Sequence, residues 1–142
     1  MFVHHLDEEV ALFLLEPYHA EELFRLTEEN RDYLREWLPW VDHTRSVEDT
    51  RSFIELTMKE FAEQQGLTAG IRFKGNLCGV IGFHNADWSN RHISIGYWLG
   101  QSFQGHGIMT RACSAFVQHA FVRYGMNRIE IRAGVGNAKS RA

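Results

Sequence analysis

Val10 to Leu15 is an unbroken apolar run, short for a helix and of the right length for a strand buried on both faces. Pro17 then opens a helix, because a fixed φ and a missing N–H suit the first helical turn, and Ala20, Leu23, Phe24 and Thr27 recur on one face of it. A short helical stretch covers Arg31 to Leu38. Ser46, with Asp49 three residues on, resembles a capping box; the helix it starts carries Phe53, Ile54, Leu56, Thr57, Met58 and Phe61 to about Gln65, and Gly66 ends it. From Leu67 to Leu99 the chain reads as strands, turning at Gly75-Asn76 and at Asp87-Trp88-Ser89-Asn90. Ile108, Ala112, Cys113, Phe116, Val117, Ala120, Phe121 and Tyr124 return to helical spacing, with Gly125 as C-terminal cap. Asn127 to Ala133 alternates like a half-buried strand, and Asn137 beyond it can cap another helix. That helix would stop five residues later at Ala142, so the domain is expected to continue past this sequence.

Between the strand Ile93 to Leu99 and the helix from Ile108 lies Gln104-Gly105-His106-Gly107-Ile108-Met109-Thr110. Two glycines let backbone approach an anion, and the first N–H groups of the helix are unpaired donors with partial positive charge. The junction therefore predicts a phosphate-bearing ligand, although glycines also serve simply to turn a strand into a helix. A dinucleotide-binding turn fits poorly: Thr110 stands where its third glycine belongs, and Phe73-Lys74-Gly75-Asn76-Leu77 reads as a hairpin, making the preceding strands antiparallel.

Composition narrows the rest. A chain of 142 residues with 44% hydrophobic positions suits one domain, taken as residues 1–142, and a net charge of −3 offers no basic surplus for nucleic acid or anionic membrane. The early acids Asp7, Glu8 and Glu9 do not suit a signal peptide, no apolar run is long enough to span a bilayer, and a cytoplasmic address is expected. Cys78 and Cys113 read as buried free thiols. The eight histidines form no metal-ligand spacing, so no metal is assigned.

The glycine junction does not stand alone. Arg31-Asp32-Tyr33-Leu34-Arg35-Glu36-Trp37-Leu38-Pro39-Trp40, Ile95-Gly96-Tyr97-Trp98-Leu99, Gly107-Ile108-Met109-Thr110 and Asn137-Ala138-Lys139-Ser140-Arg141-Ala142, in that order, resemble the GNAT superfamily of N-acetyltransferases and its RimJ/RimL-like branch. The acetyl-CoA signature of that superfamily, Gln/Arg-x-x-Gly-x-Gly/Ala, is met from Gln104 to Met109, with Met109 in the last place. The resemblance implies an α+β fold of three layers, with a mixed, mostly antiparallel central sheet flanked by helices. It also implies acetyl transfer from acetyl-CoA to a primary amine, in this branch a protein N-terminal α-amine such as that of a ribosomal protein, with no metal. A small-molecule amine as acceptor, or a CoA-binding module without catalysis, are the alternative readings.

By the same resemblance, backbone from Gln104 through Gly105, His106, Gly107, Ile108 and Met109 to Thr110 would hold the CoA pyrophosphate; Trp98 and Leu99 would meet the acetyl and pantetheine portion, and Asn137 the pantetheine arm. Ser140 is the candidate acid at the departing sulfur, although a serine there also suits helix capping. Relatives often carry a glutamate where Ser94 stands, and a serine cannot be a carboxylate base. His84 and Asp87 are the candidates for that role, with His92 and Glu36 behind them; His84 also reads as a structural histidine, and Asp87 as a turn residue. Trp37, Pro39 and Trp40 would border the acceptor groove, or plug the core. A homodimer is compatible with the exposed sheet edge and the tryptophan-bearing segment.

Overall fold

The computed structural model describes residues 3–36 and 38–133. Six strands form one sheet in sequence order: β1 (Val3–His5), β2 (Val10–Leu14), β3 (Leu67–Phe73), β4 (Asn76–Asp87), β5 (His92–Leu99) and β6 (Arg128–Ala133). Pairing is antiparallel through β5 and parallel between β5 and β6, the one junction that needs a crossover helix. That crossover is α4 (Ile108–Val122), on one face of the sheet; α1 (Ala20–Glu29), the short α2 (Arg31–Leu34) and α3 (Val47–Ala62) precede the strand meander and cover part of the other.

Alternation along the strands divides the core in two. Ile81, Phe83, Ile93, Ile95 and Tyr97 face α4 and pack on Ile108, Ala112, Phe116 and Ala120; Phe116 lies 4.4 Å from Phe83 between ring centroids. Phe13, Val80 and Trp98 face the opposite way, against Leu23, Leu26, Leu34 and Ile54. Full burial of each large side chain contributes about 1.5–3 kcal/mol, so these contacts, more than local propensity, hold the helices to the sheet. A two-pronged bond joins the layers: the Arg72 guanidinium donates to both carboxylate oxygens of Glu22 at 2.8 and 2.9 Å and lies 4.5 Å from the Phe13 ring centroid.

The sequence pattern misplaces several boundaries. Pro17 opens a 3₁₀ turn, Pro17–His19, before α1 begins, and Leu26 is buried on α1 while Phe24 is only half-buried. The second helix stops at Leu34. Ser46 caps α3 through the Asp49 N–H at 3.2 Å, but the Asp49 carboxylate returns to the N–H of Arg45, so the box is displaced by one residue. α3 ends at Ala62, and Gln64 takes the left-handed φ of +60°; Gly66 is needed for space, since a Cβ there would stand 2.5 Å from the carbonyl oxygen of Phe83. β1 has no counterpart in the reading, being three residues long and exposed. The hairpin at Lys74-Gly75 matches it, with φ of +52° and +86°.

Candidate active site

The loop between β5 and α4 is built from backbone. Gly105 and Gly107 have φ of +87° and +69°, a region other residues enter at a cost, and a Cβ on either would meet no atom within 4 Å. Both glycines therefore face open space. The first helical bond of α4 is Arg111 N–H to Gly107 O at 3.3 Å, leaving the amides of Ile108, Met109 and Thr110 without an intrahelical acceptor. Amides at a helix N-terminus next to two uncovered glycines suit a diphosphate, and this fit needs no side-chain charge.

Side chains brace that loop from outside. The Arg111 guanidinium donates to the carbonyl of His106 at 2.7 Å and to that of Gly107 at 3.2 Å, holding the acceptor ends of the loop on its own side. It also donates to Asp7 at 2.8 Å and Glu9 at 3.3 Å, in the turn between β1 and β2, and this bond takes the Asp7 carboxyl down to about 2. Asn30 accepts from the N–H of Gln101 at 2.9 Å, and Gln104 donates to the Tyr33 hydroxyl. The His106 ring lies 5.2 Å from that of Phe73.

On the sheet face opposite α4, the strands offer polar and small residues beyond the apolar cluster. Gly82 lies opposite Gly96, and His84 opposite Ser94, on β4 and β5. The His84 imidazole lies over the glycine pair: a Cβ on Gly96 would come within 3.1 Å of it, and one on Gly82 within 3.3 Å. Across the parallel junction Ser94 faces Glu130, whose carboxylate is 3.8 Å from Nε2 of His92. Ser94 is buried, and its Oγ has no hydrogen-bond partner among the described residues. Trp98 bounds this shelf at the loop end; Trp40 stands 6.3 Å from it and stacks on Phe53 at 6.2 Å, with the two planes 7° apart. Loop and shelf meet at the end of β5, where Trp98 and Leu99 pair with Val80 and Gly79.

Residues 10–142 match the acetyltransferase (GNAT) domain family. The chain belongs to that family. This GNAT-type acyltransferase is 39% identical over 143 residues to YdaF of Bacillus subtilis (strain 168), covering 100% of the chain and 78% of YdaF. It superposes with a TM-score of 0.90 on RimL, a ribosomal L7/L12 alpha-N-protein acetyltransferase solved with coenzyme A, at 27% identity and covering 98% of the chain and 78% of RimL. The microcin C7 self-immunity acetyltransferase MccE, solved with acetyl-CoA and AMP, gives 0.88 at 32% identity, covering 96% of the chain and 76% of MccE. The fold is the α+β arrangement expected, a mostly antiparallel mixed sheet between helices.

Within the GNAT frame, the residues singled out from sequence fall into three groups. Gln104 to Thr110, Trp98 and Leu99 lie together at the β5–α4 junction. Asn137, Ser140 and Trp37 lie outside the described residues. His84 and Asp87 stand on β4, which ends at Asp87, so His84 is interior to the strand rather than at its end; a register shift follows it, with Asn85 at φ of +54°. Both Asp87 carboxylate oxygens accept from Asn90, at 3.0 Å from its N–H and 2.9 Å from its side-chain amide, and those bonds hold the group below the usual carboxylate range. A carboxylate so engaged is a weak proton acceptor. Glu36 lies beyond α2, in the segment leading to Trp40. Cys78 is buried, its thiol pushed up to about 12 by desolvation, whereas Cys113 is only partly buried, at about 11. No metal-binding cluster occurs among the described residues, and none of their helices is long and apolar enough to cross a membrane.

Arg111, Asn30, Tyr33 and Glu130 were not singled out from sequence. Arg111 and Asp7 are 104 positions apart, and nothing in either segment announces the other. Glu130 sits at an ordinary polar position of an alternating strand, and only the register of β6 on β5 places it beside Ser94.

Proposed function

We propose that the protein transfers an acetyl group from acetyl-CoA to a protein N-terminal α-amine, of the kind a ribosomal protein presents. The observation that carries this reading is the junction of the two half-sites at the end of β5: open backbone at Gly105 and Gly107 on one side, and the shelf of Gly96, His84, Trp98 and Trp40 on the other. The amides from Gly105 to Thr110 would receive the pyrophosphate, and acetyl-CoA would supply the activated thioester. Backbone at Trp98 and Leu99 would align the acetyl carbonyl, and an N–H donated to its oxygen there would favour attack. Asn137 would hold the pantetheine arm and Ser140 would protonate the leaving sulfur. The names of RimL and of its ribosomal substrate, in a chain that superposes so closely, support a protein acceptor.

The stacked Trp40 and Phe53 suit this acceptor, offering an apolar wall to its first side chains. The MccE complex with AMP supports a second reading, a small-molecule amine as acceptor on the same shelf.

The test is CoA thiol release from acetyl-CoA with a panel of N-terminal peptides and small amines, beside calorimetric titration with CoA. Turnover selective for peptides is the expected result. Selectivity for small amines would replace the acceptor, and tight CoA binding without turnover on any amine would leave a binding module.

A further inference from the structure

Ser94 is the anomaly of the shelf. A buried hydroxyl ordinarily has a partner, and the exceptions call for water or a ligand. Ser94 is 2% exposed, its Oγ is unpartnered among the described residues, and its register partners on both adjoining strands are ionisable. His84 is its register partner on β4, and Glu130 its register partner on β6. Register partners on neighbouring strands project from the same face of a sheet, so a carboxylate on β6 and a hydroxyl on β5 stand side by side on it. The Glu130 carboxylate is about half exposed and faces His92 Nε2 at 3.8 Å, a buried atom with no hydrogen bond among the described residues.

We propose that Glu130 accepts the proton of the incoming ammonium, through a water held on the Ser94 hydroxyl, with His92 positioning the carboxylate. This rests on the acetyl-transfer reading and adds to it the residue that makes the acceptor nucleophilic. An acceptor α-amine is largely protonated at neutral pH, since α-amines titrate at about 7.7–8.0. One N–H bond of the ammonium breaks and its proton passes to the water, which gives a proton to Glu130. The freed electron pair forms the N–C bond to the acetyl carbon; as the C–S bond breaks, a second N–H proton leaves the tetrahedral intermediate and the sulfur takes a proton by way of Ser140, so the products are the neutral amide and the CoA thiol. The proton removed from the amine resides on Glu130 until solvent takes it, which the half exposure of that side chain allows.

Charged and titratable groups near Glu130 on the described strands include His84 and Asp87 on β4, His92 on β5 and Arg128 on β6. Asp87 is held by Asn90 and Arg128 is exposed, whereas Nε2 of His92 lies 3.8 Å from the Glu130 carboxylate.

The experiment compares the unaltered protein with Glu130→Gln and Ser94→Ala, measuring kcat/KM for a peptide acceptor from pH 6 to about pH 10, the KM for acetyl-CoA, and thermal melting. For Glu130→Gln a loss of about a hundredfold is expected near pH 6.5, the scale of removing a general base. Most of that loss should vanish by about pH 9.5, where the amine arrives neutral. The acetyl-CoA KM and the melting temperature should hold. Ser94→Ala should show the same pH-dependent pattern with a smaller loss. A Glu130→Gln profile parallel to that of the unaltered protein, or no loss at any pH, would overturn the relay alone. Absence of turnover by the unaltered protein on every amine would overturn the transfer reading itself.

Discussion

The two ends of β5 solve opposite problems with opposite materials. At the loop end the open surface is backbone: Gly105 and Gly107 in the left-handed region and the first N–H groups of α4, with side chains kept outside as braces. On the shelf the contacts come from side chains of β4, β5 and β6 and of the segment before α3: His84, Ser94, Glu130 and Trp40. A diphosphate is the same in every reaction of the family, and fixed dipoles suit it. An acceptor differs from enzyme to enzyme, and side chains can change one at a time without moving a strand.

Gly107→Val is the strongest way to break that contrast. Valine at φ of +69° is strained and adds bulk where the ligand approaches, so CoA affinity should fall about a hundredfold by calorimetry while the fold survives. Unchanged affinity would remove the loop from the cofactor site. Trp40→Ala acts at the other end: an aromatic wall contributes about 0.5–1.5 kcal/mol, so the acceptor KM should rise up to about tenfold with the acetyl-CoA KM constant. If both constants moved together, the two ends would not be separable. Arg111→Ala asks whether bracing matters. Releasing the carbonyls of His106 and Gly107 should raise the acetyl-CoA KM about fivefold, a typical hydrogen-bond effect, and leave the acceptor KM alone.

Glu22→Gln, far from either end, sets the scale for a change in the scaffold. The Arg72 bond holds the Glu22 carboxyl below its ordinary 4.5, so the stability it contributes is present above that value and lost as pH falls through the lower folded value. The variant should melt slightly lower at neutral pH, and the two melting curves should converge in acid. A gap that persists at low pH would trace the loss to packing.

That contrast also explains what could be read from the sequence. Gln104 to Thr110 carries its chemistry in consecutive residues, because glycine is the requirement and the helix that follows supplies the donors. The helices and the strand meander were legible for a similar reason: apolar period and turn residues are local. Boundaries were less so, as at Gln64, where a non-glycine residue takes the left-handed position and Gly66 is small to spare the Phe83 carbonyl. The shelf was illegible because Ser94, Glu130 and His84 meet only through register, and register is set by the whole face of each strand. His84 was found by residue type alone. Glu130 was passed over, having no local mark to separate it from any solvent-facing glutamate.

The clasp between Arg111 and the β1–β2 turn bears on where a working unit can be trimmed. The family match begins at Val10, which invites shortening the protein to that residue. Such a deletion would remove Asp7 and Glu9, the two carboxylates that hold the far side of the Arg111 guanidinium. A domain boundary drawn by homology and the mechanical boundary of the β5–α4 loop are thus different lines, and anyone shortening or tagging this protein should cut before Asp7.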